Sequence, residues 1–330
     1  MSGGESPRGA DLLGLAEMTG EEILSLLDSA AEMKRALASG TSRAELAKKT
    51  VCLLFFEPST RTMHSFAAAA RALSAQVVSF TAGAASSTAK GETLLDTAAN
   101  LAAIGADVFV VRHRSSGAPE RLARALAARG GPGRPCVVNA GDGSHEHPTQ
   151  ALLDLFTLRE RFGRLEGLEL GIVGDIRHSR VARSNVFGMT ACGANVTLVA
   201  PPSWMPEGVE ALGRRPQSRG RLAISHSLDE VLPRLDAIMA LRIQKERLGA
   251  EPGPSAEAYA AEYGLTEERM SRAKSGCLVL HPGPVNRGVE LAGSVADSPR
   301  SLILGQAANG VPVRMAVLAR CVRARDGRRT

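Results

Sequence analysis

Short apolar runs alternate with Ala-rich or amphipathic stretches along most of the chain, and this alternation constrains the fold more than any other feature. Strand-like runs occupy 50–56, 76–80, 107–111, 136–139, 168–173, 195–199, 222–224, 237–241 and 277–280. Helix-like patterns occupy 62–73, 92–104, 119–128, 149–162, 181–192 and 256–263. Such alternation is typical of doubly wound α/β folds, in which helices cover both faces of a parallel sheet.

The rhythm of strands and helices restarts at Leu168, after a long helical pattern that begins at Pro148. We therefore predict two α/β domains, each with a parallel sheet, joined by that helix. The first domain is expected to span 1–148 and to be rejoined by a C-terminal helix within 305–330. The second domain is expected to span 149–304. A sequence of 330 residues is long enough to bury a core in each.

Composition excludes several classes of protein. The formal net charge is +6, which favours an anionic partner, but no basic run interleaved with aromatic residues is present, so nucleic acid is not expected. No apolar run approaches the roughly 20 residues of a membrane-spanning helix. The five cysteines are widely spaced, odd in number and without a CxxC pair, which predicts buried free thiols in a cytoplasmic protein.

The segment FFEPSTRT at 55–62 joins a buried strand to the start of a helix through a proline turn. Helix N-termini present unbonded N–H groups and the positive end of the helix dipole, so they favour anions. The hydroxyls of Ser59, Thr60 and Thr62 add donors, and Arg61 adds a charged guanidinium group. The pattern fits a phosphate site without a glycine-rich loop. It equally fits a simple helix cap at Ser59 or Thr60, and the four residues alone do not decide between the two.

A second polar turn, GDGSHEHPTQ at 141–150, follows a short strand and precedes the helix that begins near Pro148. His147 and Gln150 are three residues apart and can point past the same helix start, where they could polarise a carbonyl and hold a neighbouring NH2 group. Arg112 directly follows the apolar strand 107–111. Ligands of α/β proteins bind at the carboxyl ends of strands, which favours binding roles over an ordinary turn and a solvated arginine.

Cations recur after the later strands. The motif GDIRHSR ends at Arg180, and Arg242 follows the strand 237–241. Two planar guanidinium groups suit a substrate with two carboxylates. The last strand is followed by HPGPVNR, where the carbonyl of Gly283 could accept a hydrogen bond from an NH2 group.

Lys90 lies in a loop of small residues that starts at Ser86. Only six of the 40 basic residues are lysines, so a lysine here indicates a need for a compact point charge. The alternative is an ordinary surface lysine.

Eight motifs, in order from about residue 50 to 320, resemble those of the catalytic chains of the aspartate carbamoyltransferase family, within the aspartate/ornithine carbamoyltransferase superfamily. They are FFEPSTRT, SSTAKGET, VRH, GDGSHEHPTQALLD, GDIRHSRVARS, LRIQKER, HPGPVNRG and GQAANGVPVRMA. The resemblance implies transfer of a carbamoyl group from carbamoyl phosphate to L-aspartate in pyrimidine biosynthesis, with no cofactor and no metal ion.

The resemblance also implies residue roles. Carbamoyl phosphate would contact Ser59, Thr60, Arg61, Thr62, Arg112, His147, Gln150, Gly283 and Pro284. Aspartate would contact Ser86, Lys90, Arg180, Arg242 and Gln244. The implied catalytic residues are Arg61, Thr62, Lys90, Arg112 and His147. Glu57 resembles a glutamate that orients two arginines, here Arg180 and Arg247.

Family members are trimers, so the resemblance implies a homotrimer in which Ser86 and Lys90 enter the site of the neighbouring chain. Association with a regulatory chain or a dihydroorotase is compatible with the family. The chain departs from the family after STRT, where Met63 and Ala67 replace a basic residue and a carboxylate. We expect a changed ion pair there and not a loss of activity.

Two alternative functions have weaker support in the sequence. An ornithine carbamoyltransferase typically has a Cys in an HCLP loop and lacks the Lys90 loop, whereas the loop here is HPGP. A catalytically silent scaffold paralogue would be supported only by Met63 and Ala67.

Overall fold

All paired strands run parallel and form two sheets in the computed structural model, which describes residues 9–81, 93–130, 133–243 and 253–327. The strands are β1 (Thr50–Phe55), β2 (Gln76–Thr81), β3 (Val108–His113), β4 (Cys136–Asp142), β5 (Glu169–Val173), β6 (Asn195–Val199), β7 (Leu222–Ser225), β8 (Ala237–Ala240) and β9 (Leu278–Leu280). The longer helices are α1 (Gly20–Ala38), α2 (Thr60–Ala72), α3 (Leu94–Ala103), α4 (Ala118–Arg129), α5 (Pro148–Phe162), α6 (Arg180–Ala191), α8 (Ala256–Tyr263) and α11 (Ile303–Asp326). Three short helices are α7 (Leu228–Val231), α9 (Glu267–Ser271) and α10 (Gly293–Ala296).

In each sheet, successive strands are added first toward one edge and then toward the other. The four-stranded sheet has the order β2-β1-β3-β4, and the five-stranded sheet has the order β7-β6-β5-β8-β9. The reversals therefore fall between β1 and β3 and between β5 and β8. At such a switch point the connections leave toward opposite sides, which opens a crevice at the carboxyl ends of the strands.

Strands β1 and β4 are buried along nearly their whole length, as expected for a sheet covered on both faces. Every residue of β4 is buried, and β1 is buried from Val51 to Phe55. Phe109 of β3 lies in a core cluster with residues of β1, α3 and α4. The near-continuous apolar strands of the sequence are thus explained by burial on both sides.

Side-chain hydrogen bonds mark the start of helix α1. Thr19 and Glu22 form a capping box before α1, with Glu22 N donating to Thr19 Oγ1 at 3.2 Å and Thr19 N donating to Glu22 Oε2 at 2.8 Å. Both orphan donors are satisfied reciprocally, which defines where the helix begins.

The chain divides into two compact units. The first holds the described residues of Met1–Leu15, Ser25–Thr149 and Gly310–Thr330, and the second those of Ala16–Leu24 and Gln150–Asn309. Within the first unit, α11 returns to the sheet, because Arg325 Nη1 donates to Asp107 Oδ1 at 2.8 Å and Arg314 Nη1 to Ser65 Oγ at 2.8 Å. The predicted fold class, two doubly wound parallel sheets with a returning C-terminal helix, is confirmed.

Several element bounds differ from the expectation. Strand β3 continues to His113, so Arg112 lies within the strand and does not follow it, and β4 continues to Asp142. Polar residues extend these strands because their backbones still pair with neighbours, as His113 pairs with Asp142. The short helices α7, α9 and α10 were not predicted, since four or five residues are too few to display a helical period.

All five cysteines are buried free thiols, as predicted. Burial raises the pKa of Cys136 and Cys192 to about 12. It raises the pKa of Cys52 and Cys277 to about 11. Among the described residues, no helix is both long and apolar enough to cross a membrane.

We predict that none of the five thiols reacts with a chromogenic thiol reagent in the native protein near neutral pH, because each is inaccessible and protonated. All five should react after unfolding in guanidinium. The absorbance change before and after unfolding measures both numbers. A thiol that reacts as fast in the native as in the unfolded protein would contradict the burial described above.

Candidate active site

The N-terminus of α2 lies at the carboxyl end of β1. Ser59 occupies the N-cap position, yet its side chain makes no capping hydrogen bond and instead donates to Thr62 Oγ1 at 3.0 Å. Thr60 and Arg61 are exposed, whereas Thr62 is buried. The simple-cap interpretation of Ser59 therefore loses its support, and the first turn of α2 presents hydroxyls and a guanidinium group around an anion-favouring helix end.

Arg112 is held in place at the carboxyl end of the neighbouring strand β3. Its Nη2 donates to Glu57 Oε1 at 2.6 Å, and its Nη1 donates to the carbonyl of Ala140 at 3.2 Å. Arg112 is largely buried, so these contacts restrain a charged group with little freedom. Glu57 is thus a partner of Arg112, and its predicted pairing with Arg180 and Arg247 stays a prediction.

Burial lowers the pKa of His113, the residue after Arg112. Its Nδ1 accepts a hydrogen bond from Ser115 N at 2.9 Å. The ring is therefore neutral at pH 7, and the positive charge at the end of β3 comes from Arg112 and from Arg114, which follows His113.

A buried carboxylate, Asp142, organises the turn after β4. It accepts hydrogen bonds from Asn139 Nδ2 at 2.8 Å and from the backbone N–H of Gly117 at 2.6 Å. It also accepts from Glu146 N at 3.2 Å. The turn is therefore anchored to the segment after β3.

Gly143 is required at the tip of this turn. Its φ is +48°, and a Cβ there would lie 2.3 Å from Ser116 Oγ and 2.7 Å from Ser116 N. Any side chain would push the turn away from the end of β3. His147 and Gln150 follow, both largely buried, at the start of α5.

The second unit places two arginines at its own switch point. Arg180 is the first residue of α6, whose N-cap Ser179 accepts from Ala182 N at 3.0 Å. Arg242 comes two residues after the end of β8. Because β5 and β8 are neighbours in the sheet, both arginines leave from adjacent carboxyl ends. Both side chains are partly exposed.

The loop after β9 is braced by a buried histidine. Gly283 N donates to His281 Nδ1 at 2.7 Å, so Nδ1 is an acceptor and Nε2 carries the proton. Nε2 lies 3.1 Å from Glu290 Oε1, and both side chains are fully buried. The Gly283–Pro284 peptide bond is cis. The hydrogen bond from Gly283 N to His281 holds the backbone of Gly283 within the second unit.

Four residues named in the sequence analysis, Ser86, Lys90, Gln244 and Arg247, lie outside the described residues. At the family departure, Met63 is partly buried and Ala67 is buried. Arg314 of α11 packs against this part of α2. Its side chain donates a hydrogen bond to Ser65 and lies 5.0 Å from the centre of the Phe66 ring. A hydroxyl and an aromatic face therefore contact the arginine near the replaced positions.

Comparison with known proteins bears on this arrangement. Residues 10–160 match the carbamoyl-phosphate binding domain of aspartate/ornithine carbamoyltransferases, and residues 166–321 match their aspartate/ornithine binding domain. The chain belongs to the aspartate/ornithine carbamoyltransferase family.

Relatives within the carbamoyltransferase family are close. The aspartate carbamoyltransferase catalytic subunit of Acidothermus cellulolyticus is 50% identical over 93% of this chain and 90% of its own length. That of Thermobifida fusca is 49% identical over 93% of both chains. Aspartate transcarbamoylase of Trypanosoma cruzi, solved with carbamoyl aspartate and phosphate, superposes with a TM-score of 0.83 at 33% identity, covering 94% of this chain and 95% of its own.

Several polar residues that contact predicted site residues or the turns that carry them were not predicted. Asp142 lies inside the motif GDGSHEHPTQ, but its contact with the backbone of Gly117 joins segments 25 residues apart in the sequence. Asp154 lies four residues after Gln150 on α5 and accepts a hydrogen bond from Gln150 Nε2 at 2.9 Å. This spacing is a signal that could have identified the contact. Glu290 follows His281 by nine residues with no periodic relation, so no sequence pattern indicates their contact.

We predict that Arg61→Ala weakens binding of inorganic phosphate about 10- to 100-fold, because a charge-assisted hydrogen bond at the start of α2 is lost. Calorimetric titration of the purified protein measures the dissociation constant. Arg71→Ala removes an exposed arginine from the last turn of the same helix and should leave phosphate affinity unchanged. Equal effects of the two substitutions would show that the start of α2 has no special role.

Proposed function

We propose that the chain transfers the carbamoyl group of carbamoyl phosphate to the α-amine of L-aspartate, giving N-carbamoyl-L-aspartate and phosphate, an early step of de novo pyrimidine synthesis. The observation that carries the proposal is the grouping of anion- and carbonyl-binding side chains at the ends of β1, β3 and β4. The relatives named above, aspartate carbamoyltransferases about 50% identical, support the same reaction.

In this proposal the first turn of α2 binds the phosphate group. Ser59, Thr60 and Arg61 donate to its oxygens, together with backbone N–H groups of the turn. Thr62, Arg112 and His147 bind the carbonyl oxygen. The contact between Arg112 and Glu57 supports this role, because a restrained guanidinium group needs little reorganisation when charge develops nearby.

The reaction needs few chemical groups from the protein. The neutral α-amine of aspartate attacks the carbonyl carbon, a C–N bond forms, and negative charge develops on the carbonyl oxygen. Stabilisation of that oxygen is the largest expected contribution, and alignment of the two substrates adds to it. The bond from carbon to the bridging phosphate oxygen then breaks, and the departing phosphate takes the proton of the amine.

The two arginines of the second unit are proposed to select the acceptor. Arg180 and Arg242 each offer a planar pair of donors, which suits the two carboxylates of aspartate. Gln244 would assist them. The side chain of ornithine carries a cation in place of the second carboxylate and would be repelled by the arginine meant for it.

We also propose a homotrimer with shared sites, in which Ser86 and Lys90 of one chain act in the site of the next. Cyclic symmetry gives a head-to-tail interface, so each chain can lend a loop to its neighbour. A cytoplasmic location is supported by the five buried free thiols, because reducing compartments keep thiols unpaired.

We predict carbamoylation of L-aspartate and at least about 1,000-fold lower kcat/KM with L-ornithine, because one carboxylate is lost and a cation is brought to an arginine. Release of phosphate with each amino acid at equal concentration measures the ratio. Comparable rates with the two amino acids would contradict the proposed function.

Mixing inactive variants tests the shared site. We predict that Lys90→Ala and Arg61→Ala are each nearly inactive as pure trimers. After chain exchange in an equal mixture, about one quarter of the interfaces combine an intact Arg61 pocket with an intact Lys90 loop, so activity should return to that extent.

The control is a mixture of Arg61→Ala with Arg112→Ala. Both residues belong to the same half of the site, so no interface in this mixture is complete and no activity should return. Absence of recovery in the first mixture, with exchange verified by mass spectrometry, would contradict sharing and leave the reaction itself untouched.

A further inference from the structure

Asp154 is a fully buried carboxylate on α5, one turn after Gln150. Three side-chain amides donate to it. Nε2 of Gln150 and Nε2 of Gln306 lie 2.9 and 2.7 Å from its Oδ1, and Asn185 Nδ2 lies 2.9 Å from its Oδ2. An ionised carboxylate only accepts hydrogen bonds. Each of the three amides must therefore turn its NH2 group toward Asp154.

The orientation of Gln150 follows directly from this contact. The nitrogen of the amide faces Asp154, so its oxygen faces away from Asp154. An outward oxygen accepts a hydrogen bond from an NH2 group, whereas an outward NH2 group would oppose one. In a free glutamine the two orientations have similar energies, and only the surroundings choose between them.

We propose that Asp154 is a positioning residue that makes the site selective for a carboxamide donor. By fixing the oxygen of Gln150 outward, Asp154 lets the site accept the NH2 group of carbamoyl phosphate and disfavours an acetyl group, whose methyl cannot donate. The inference rests on the proposed function, in which Gln150 contacts that NH2 group.

The same carboxylate braces the loop after β9. Gln306 donates to Asp154 through Nε2 and accepts from His281 N through Oε1 at 2.9 Å, so its amide is also held in one orientation. His281 in turn positions Gly283 and contacts Glu290. The chain of hydrogen bonds lies within the second unit and links both groups proposed to accept from the carbamoyl NH2, the Gln150 oxygen and the Gly283 carbonyl.

Binding of two unreactive ligands separates positioning from turnover. Phosphonoacetamide carries the carboxamide of carbamoyl phosphate, and acetonylphosphonate has a methyl group in place of the NH2. We expect calorimetry on the full-length protein to give at least about tenfold tighter binding of phosphonoacetamide, the worth of one well-formed hydrogen bond. If neither ligand binds the unmodified protein, the proposed function fails. If both bind equally, the carboxamide selectivity is overturned.

Removal of the carboxylate should abolish this preference. In Asp154→Ala the amide of Gln150 is no longer held, so the affinity ratio should fall about tenfold, mainly through weaker binding of phosphonoacetamide. A general loss of structure would weaken both ligands alike and leave the ratio unchanged. If Asp154→Ala does not fold, Asp154→Leu removes the acceptor without opening a cavity.

The conservative variant Asp154→Asn should keep most of the ratio. Its amide oxygen can still accept from Gln150 and Gln306, while its NH2 group faces Asn185. Asn185 can turn over to accept from it, because within the described residues its Oδ1 has no hydrogen-bond partner, at the expense of the hydrogen bond from its Nδ2 to the carbonyl of Val181 at 3.0 Å. Retention in Asp154→Asn together with loss in Asp154→Ala is the pattern expected of a positioning acceptor.

A matched control lies one turn further along the same helix. Thr157 is buried and accepts from Asn309 Nδ2 at 3.0 Å, away from Gln150. Thr157→Val removes this buried hydrogen bond and should lower the melting temperature without changing the affinity ratio. A ratio unchanged in folded Asp154→Ala, or lowered equally in Thr157→Val, would overturn the role of Asp154 while the reaction assignment stands.

A neutron structure of the unmodified protein with phosphonoacetamide gives a test that needs no variant. We expect the oxygen of Gln150 beside the ligand NH2 group and the deuterated nitrogen beside Asp154. The reverse orientation would overturn the proposal.

Discussion

The reversal of strand order within each parallel sheet is the constraint on which the rest of the structure depends. Between β1 and β3, and again between β5 and β8, successive connections leave toward opposite sides. The carboxyl ends of adjacent strands are consequently uncovered at one point in each sheet. Arg112 lies at the first such point, and Arg180 and Arg242 at the second. The two halves of the chain match a carbamoyl-phosphate binding domain and an aspartate/ornithine binding domain of the family to which the chain belongs.

Buried carboxylates then give these edges a definite shape. Asp142 accepts from backbone and side-chain donors around the turn after β4, and Asp154 accepts from three amides around the start of α5. A buried ionised group is costly unless its hydrogen bonds are satisfied, so each carboxylate imposes one arrangement on its neighbours. Preorganisation of this kind spares the site a rearrangement when charge develops on a substrate.

The sequence predicted most of the fold because the relevant signals are local. Apolar runs marked all nine strands that the described residues contain, and the restart at Leu168 marked a second sheet. Differences arose where a local pattern was too short or was overridden by pairing. Arg112 lies within β3 because its backbone pairs with Phe55 of β1. A charged side chain does not indicate this backbone pairing in the sequence.

The sequence by itself determined the fold class, the burial of the cysteines and the residue types at the strand ends, since each depends on periodicity or on a contiguous motif. Only the tertiary structure decided which of these residues touch. Glu57, which follows β1, forms an ion pair with Arg112 of the neighbouring strand β3. Asp154 accepts a hydrogen bond from Gln306, which lies 152 residues later in the sequence. Such contacts join residues far apart in the chain, and their energies depend on burial and on distances of about 3 Å that no spacing along a sequence encodes.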